Sequence, residues 1–194
     1  MSAMTIAKSE LILGGQKSGK SRRAELLARQ WLDQSHDHRA VLIATAQPWD
    51  DEMRQRIARH QADRAERVPG MTTVEESLAL AEAIQTHGSA DTLLVVDCLT
   101  LWLTNLRMPA EYESIMPLSP VDTAPIASLL IAIAQAPGPV VLVGNEIGLG
   151  VIPMGREVRA FVDALGRLNQ DVAATCQRVT LMAAGLPLTL KDAA

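Results

Sequence analysis

Eight consecutive residues, Gly14-Gly15-Gln16-Lys17-Ser18-Gly19-Lys20-Ser21, carry the spacing G-x-x-x-x-G-K-[ST] directly behind the apolar run Leu11-Ile12-Leu13. Each residue type answers a chemical need. Glycines let the backbone curl so that successive N–H groups face anionic oxygens, Lys20 sets an ammonium on the outer phosphates, and Ser21 offers a hydroxyl to magnesium. A helix starting behind the loop adds its positive N-terminal end. The pattern predicts a site for a nucleoside triphosphate with Mg2+. A second group suited to phosphate chemistry is Asp97, placed directly after Leu93-Leu94-Val95-Val96. An acidic residue at the end of a buried strand holds magnesium, often through water, opposite the loop hydroxyl.

The histidines supply a third candidate. Of the four, His36, His38 and His87 lie in polar turns, whereas His60 falls on a helical pattern beside Met53 and Ile57. Two readings are open at this position. One is a packed, hydrogen-bonded imidazole. The other is a nucleophile towards phosphorus, since a neutral ring nitrogen forms a covalent intermediate that divides a hard transfer into two easier ones. Arg59 and Arg64 are then placed to neutralise phosphate charge.

Positioning these groups falls to an alternation of short β-rich runs and longer helical patterns. The runs are Glu10 to Leu13, Ala40 to Ala44, Thr92 to Val96, Pro139 to Val143 and Arg178 to Ala183. Such alternation marks a parallel sheet covered by helices. Ligands of open α/β sheets sit at the carboxyl ends of the strands. There the sequence places the glycine loop, Thr45-Ala46-Gln47, Asp97-Cys98-Leu99-Thr100 and Asn145-Glu146. Ala184-Gly185-Leu186-Pro187 reads as a tight turn into a final strand pairing antiparallel at the sheet edge. The expected class is therefore α/β: a P-loop NTPase-type (RecA-like), mostly parallel sheet flanked by helices, with a short antiparallel edge strand at the C-terminus. Helices are expected over Ser21 to Gln34, with Ala24, Leu27, Ala28 and Trp31 as the buried stripe, and over Asp50 to Arg67, capped by Asp50 and Asp51. Between residues 107 and 137, Pro109, Pro117, Pro120, Pro125 and Pro137 restrict helix to Ile126 through Gln135 and mark an excursion from the core.

Composition narrows the function classes. A chain of 194 residues fits one domain spanning 1–194. No apolar run approaches the ~18–20 residues that cross a bilayer, and the opening Met1-Ser2-Ala3-Met4-Thr5 lacks a basic stretch followed by an apolar one. A cytoplasmic protein is expected. The two cysteines, Cys98 and Cys176, have neither C-x-x-C spacing nor a histidine pair nearby, so both read as buried free thiols. A net charge of −4 with one Phe, one Tyr and three Trp gives neither the basic footprint nor the stacking platform of a nucleic-acid binder. The same deficit argues against a motor or binding module working on a polymer.

Several segments in fixed order carry a more specific signal. They are the glycine loop, Ile43-Ala44-Thr45-Ala46, Asp50 to Met53, Arg56 to His60, and Val96-Asp97-Cys98-Leu99-Thr100-Leu101-Trp102-Leu103-Thr104-Asn105-Leu106. Further on come Asn145-Glu146-Ile147-Gly148-Leu149-Gly150-Val151-Ile152-Pro153, then Arg159, Phe161, Gly166 to Gln170, Ala184 to Pro187 and Lys191. Together they closely resemble the bifunctional adenosylcobinamide kinases and adenosylcobinamide-phosphate guanylyltransferases of cobalamin biosynthesis, over nearly the whole chain except the proline-rich excursion. The resemblance implies two reactions at one site. The first phosphorylates the aminopropanol hydroxyl of adenosylcobinamide with ATP or GTP, with Lys20, Ser21 and Asp97 holding the triphosphate and its Mg2+. In the second, a histidine matched by His60 attacks the α-phosphate of GTP and delivers GMP to adenosylcobinamide phosphate, giving adenosylcobinamide-GDP. The guanylate contacts implied fall on Ala44, Thr45 and Ala46, on Gln61, Ala62, Asp63 and Arg64, on Glu75, with Glu76 as the alternative register, and on Asp97. A homotrimer is implied as well. The chain departs from the family pattern at Met71, where Trp is common, and at Gly144, where Ser or Thr precedes the Asn-Glu pair. Without the histidine chemistry, the alternative is another small-molecule kinase built on the same loop.

Overall fold

Runs of Val, Leu and Ile without polar alternation suit strands covered on both faces, the condition of a parallel sheet between helical layers. The computed structural model describes residues 5–47, 51–107 and 123–193, except for the side chains of Glu52, Met53, Arg56, Ile57 and His60. In chain order the elements are β1 (Ser9–Gly14), α1 (Lys20–Leu32), β2 (Arg39–Ala44), α2 (Asp51–Arg67), β3 (Met71–Glu75), α3 (Leu80–His87) and β4 (Thr92–Asp97). They continue with α4 (Leu99–Arg107), α5 (Ala124–Gln135), β5 (Val140–Val143), α6 (Arg156–Thr175), β6 (Arg178–Ala183) and β7 (Leu186–Asp192). One seven-stranded sheet runs in the order β3-β2-β4-β5-β1-β6-β7. Every pairing is parallel except β6 with β7, the antiparallel edge expected from the C-terminal turn.

Period-2 alternation divides the strand residues between two cores. Leu11, Leu13, Ile43, Leu94, Val96 and Leu142 meet the helices α3 to α6 through Ile84, Trp102, Leu103, Leu129 and Leu168. Ile12, Leu42, Leu93, Val95, Val141 and Val143 face Ala24, Leu27 and Ala28 of α1. A fully buried Leu or Ile contributes roughly 1.5–3 kcal/mol, so the central strands are held from both sides. Among the described residues, no helix is long and apolar enough to cross a membrane.

Several elements differ from expectation. β3 extends the sheet at its far edge. Its Thr72, Thr73 and Glu75 are exposed and only Met71 and Val74 are half-buried, so hydrophobicity marks it weakly. The turn assigned to His87 is the last residue of α3. α5 starts at Ala124 rather than Ile126, because Pro125 sits in the first turn, where its missing N–H has no intrahelical partner to lose. Trp31 is only half-buried: its Nε1 donates to the Asp91 carbonyl at 3.0 Å and its ring stacks on His38 at 3.8 Å between centroids. Asp50, and the side chains of Met53 and Ile57, lie outside the described residues, as do Pro109, Pro117 and Pro120 of the excursion.

A buried carboxylate ties the N-terminal strand to its neighbours. Glu10 of β1, 1% exposed, accepts from Arg23 Nε of α1 at 2.8 Å and from Thr180 Oγ1 of β6 at 2.8 Å, with Arg178 3.7 Å away. Arg178 in turn pairs with Asp192 of β7 at 3.1 Å. Glu10→Ala leaves those donors facing a cavity and is expected to cost about 3 kcal/mol, read as a lower denaturation midpoint at unchanged m-value.

Both cysteines are buried free thiols. Burial pushes Cys98 up to about 11 and Cys176 up to about 12, from an ordinary 9.0. Above pH 9.0 the unfolded chain loses thiol protons that the folded chain keeps, so stability falls as pH rises from 9.0 towards 11. The slope is up to about 1.4 kcal/mol per pH unit for each thiol. Titration with a thiol reagent at pH 8 is expected to find neither cysteine in the native protein and both after denaturation.

Candidate active site

A strand that must hand its chain to a helix within a few residues needs backbone angles that side chains oppose. β1 ends at Gly14, φ +151°, where a Cβ would lie 2.5 Å from the Met182 carbonyl oxygen and 2.6 Å from Ser18 Oγ. Lys17 at φ 56° and Gly19 at φ 103° complete the reversal, and α1 opens at Lys20. Two neighbours fasten the loop: Glu146 N–H donates to the Gly14 carbonyl at 3.2 Å and Gly185 N–H to the Ser18 carbonyl at 3.0 Å. Lys20, 8% exposed, lies back over the loop with Nζ donating to the Gly15 carbonyl at 2.6 Å. The first turn of α1 holds no acidic residue, so its positive end is left for an anion. Gly15, Gln16 and Lys17 are exposed around the concavity.

Across from the loop stand the ends of β2 and β4. Thr45 is fully buried. Its Oγ1 donates to the Cys98 carbonyl and accepts from Cys98 N–H, both at 2.8 Å, and its own N–H donates to the Asp97 carbonyl at 3.1 Å. Asn105 of α4 closes the network, donating to the carbonyls of Thr45 at 2.8 Å and Ser77 at 3.1 Å. Thr45 therefore holds the Asp97 backbone in place, while half-buried Ala44 and Ala46 face its surroundings. Asp97 and Lys20 both lie close enough to Cys98 to act on its thiol, the carboxylate raising it and the ammonium lowering it.

The fit of a divalent cation rests on donor chemistry. The Asp97 carboxylate and Ser21 hydroxyl form no hydrogen bond among the described residues, and no cluster of three or more metal-ligating side chains occurs there. Two protein oxygens with phosphate and water to complete the shell suit Mg2+, which binds through one or two protein groups and keeps its waters.

On the far side, α2 runs along β3. Gln61 Nε2 lies 3.5 Å from Glu75 Oε1, and Arg64 Nη1 donates to Thr73 Oγ1 at 3.2 Å. Asp63 pairs with Arg67 at 3.4 Å, Arg67 reaches Glu25 of α1 at 3.2 Å, and Ala62 is exposed. Glu75 ends β3 level with Ala44, whereas the Glu76 carboxylate accepts the N–H groups of Leu78 and Ala79 at 2.8 Å ahead of α3. Glu76 is thus committed to a helix start and Glu75 is exposed. His60 lies on α2 in the turn before Arg64; its side chain is outside the described residues.

Sequence reasoning did not single out Thr100, Asn105, Asn145, Glu146 and Asn169 as site residues. Thr100 Oγ1 accepts from Asn145 N–H at 2.9 Å, and Asn169 of α6 donates to the Asn145 carbonyl at 3.1 Å and to Glu146 Oε2 at 3.3 Å. The pair Asn145-Glu146, polar residues directly behind an apolar strand, was the available signal. Buried Asn105 and Asn169 lie inside helices and give none.

Known proteins resemble this chain over most of its length. Residues 10–190 match the family model described as CobU, cobinamide kinase / cobinamide phosphate guanyltransferase. The bifunctional adenosylcobalamin biosynthesis protein CobP of Pseudomonas aeruginosa is 45% identical over 94% of this chain and 96% of its own length. The proteins named CobU of Escherichia coli and Salmonella typhimurium are 35% and 33% identical, each over 93% of this chain and 98% of their own. The flagellar accessory protein FlaH of Methanocaldococcus jannaschii superimposes with a TM-score of 0.52 over 98% of this chain and 80% of its own, at 10% identity, a likeness of fold alone. A match from residue 10 to residue 190, with a relative 45% identical over 94% of the chain, makes this protein a member of the cobinamide kinase / cobinamide phosphate guanyltransferase family.

Proposed function

We propose that one domain, residues 1–194, runs both reactions of cobalamin biosynthesis at the glycine loop. In the kinase reaction, ATP or GTP lies on the N–H groups of Gly15 to Lys20, with the Lys20 ammonium exchanging its bond to the Gly15 carbonyl for one to the outer phosphates. Ser21 and Asp97 would hold Mg2+, which neutralises phosphate charge when bound. Transfer of a terminal phosphoryl group needs positioning and charge neutralisation more than covalent help. The acceptor is the aminopropanol hydroxyl of adenosylcobinamide.

In the second reaction His60 attacks the α-phosphorus of GTP. A nitrogen–phosphorus bond forms, the bond to the β-bridging oxygen breaks, and pyrophosphate leaves with the electron pair. The tethered GMP passes to the phosphate of adenosylcobinamide phosphate, regenerating the imidazole and giving adenosylcobinamide-GDP. The residues set around guanylate are Ala44 to Ala46, Gln61 to Arg64, Glu75 and Asp97. The observation that carries this reading is that the loop and Asp97 stand on one sheet edge with the α2–β3 wall beside them. A homotrimer is part of the proposal, supported by a run of exposed apolar residues behind β5: Leu149, Val151, Ile152 and Met154. A cytoplasmic location suits two unpaired thiols.

With GTP labelled on the α-phosphate, the protein is expected to acquire acid-labile label, and His60→Ala to acquire none while still phosphorylating cobinamide. A kinase lacking the second step leaves the wild type unlabelled. Lys20→Ala is expected to lower kcat/KM of both reactions by roughly 10²–10³-fold, measured by coupled assay and by rate of labelling.

A further inference from the structure

β5 stands between the strand that carries the loop and the strand that carries Asp97. Its last residue, Val143, is level with Ile12 of β1 and with Asp97 of β4. Beyond it the chain stays in step with β1, because Gly144 N–H donates to the Ile12 carbonyl at 3.0 Å and Glu146 N–H to the Gly14 carbonyl at 3.2 Å. Side chains therefore go on alternating between the two faces of the sheet. Val141 and Val143 belong to the α1 face and Leu142 to the opposite one. Gly144 faces Leu13 and Asn169, and the Glu146 carboxylate meets Asn169 of α6, both on the side of Leu142. Asn145 is thus turned to the α1 face, where that face opens on the loop. Asp97 follows Leu93 and Val95 onto the same face.

The backbone of Asn145 is held on both sides: its N–H donates to Thr100 Oγ1 at 2.9 Å and its carbonyl accepts from Asn169 Nδ2 at 3.1 Å. Its carboxamide, by contrast, makes no hydrogen bond among the described residues, although the residue is half-buried. The other two asparagines of the chain, Asn105 and Asn169, both give side-chain N–H groups to backbone carbonyls. Asn145 keeps its donors free, on a backbone fixed by α4 and α6, in the strand position between the loop and Asp97. A half-buried amide has lost part of its hydration, and a ligand that accepts its N–H recovers that loss. The neighbours decide which ligand. Lys20 and the open end of α1 attract anionic oxygens, and Asp97 with Ser21 suits the cation that bridges the outer two phosphates. An uncharged N–H donor set between them meets the terminal phosphoryl group.

We infer that Asn145 is a catalytic residue of the kinase reaction, its carboxamide N–H donating to an equatorial oxygen of the phosphoryl group in transfer. The acceptor's hydroxyl oxygen bonds the terminal phosphorus as the bond from that phosphorus to the bridging oxygen breaks. The nucleoside diphosphate leaves with the electron pair, and the hydroxyl proton is released to water; Asn145 gives and takes no proton. Charge is spread over the equatorial oxygens during that passage, and a donor already fixed in place stabilises it without reorganising. The inference rests on the proposed kinase reaction and goes beyond it by naming the side chain that meets the moving phosphoryl group. In guanylylation of His60 the terminal phosphoryl group stays on the departing pyrophosphate, so the same contact is present before and during the transfer and leaves the rate little changed.

The test uses the full-length chain. Asn145→Ala is expected to lower the kinase kcat about 10²-fold, the effect of removing one donor to developing charge. KM for the nucleotide, the rate of GMP labelling from GTP and the melting temperature are expected to stay near wild type, since the hydrogen bonds that Asn145 makes within the protein use its backbone. Asn145→Asp keeps the shape but sets a carboxylate against the phosphoryl oxygens, and is expected to be slower than Asn145→Ala. An Asn145→Ala enzyme that phosphorylates cobinamide at wild-type rate overturns the inference, as does a parallel fall in labelling, or an Asn145→Asp enzyme faster than Asn145→Ala. Failure of the wild type itself to phosphorylate cobinamide defeats the underlying kinase reading, and that result is separable from all of these.

Discussion

β1 is the strand on which the remainder converges, because its neighbours and both helical layers leave its end a single way out. Ile12 is packed against α1 and Leu11 and Leu13 against the opposite layer. Gly14 then has Met182 and Ser18 so close that no Cβ fits. The chain must turn sharply there, and the turn directs its backbone N–H groups into the concavity ahead of α1. The shape of the loop thus follows from packing: the Met182 carbonyl oxygen, 2.5 Å from where a Cβ would lie, demands glycine at position 14.

The walls around that cradle are built from side chains that hydrogen-bond to backbone. Thr45, Asn105, Thr100 and Asn169 each hold a loop at the carboxyl edge, and three of them donate to backbone carbonyls just beyond the strand ends. Their chemistry is fixed but not reactive. The groups proposed to meet substrates lie outside this scaffolding: Asp97 and Ser21 on the kinase side, and Glu75 on the guanylate side, with Glu76 committed to the start of α3.

Much of this was legible from local pattern. The glycine loop, the five central strands, the antiparallel edge and Asp97 are written in contiguous residues, where spacing or an apolar run declares them. β3 escaped because an edge strand needs only one half-covered face, which Thr72 and Thr73 do not advertise. Glu146 was visible as a polar residue behind a strand, but its hydrogen bond to Gly14 depends on β5 inserting between β4 and β1, a matter of strand order that no local spacing encodes. Asn105 and Asn169 were invisible for a related reason: a buried asparagine in a helix looks like any other until its carbonyl partners arrive from distant segments. For His60, residue type and helical position were readable, and its chemical role came from the resemblance.

The hydrogen bond from Gly185 to Ser18 joins a turn near the end of the chain to the loop near its beginning. A ribosome makes the loop early and the β6–β7 hairpin that braces it last. The brace on the loop is therefore completed only when the last strands of the sheet have been made.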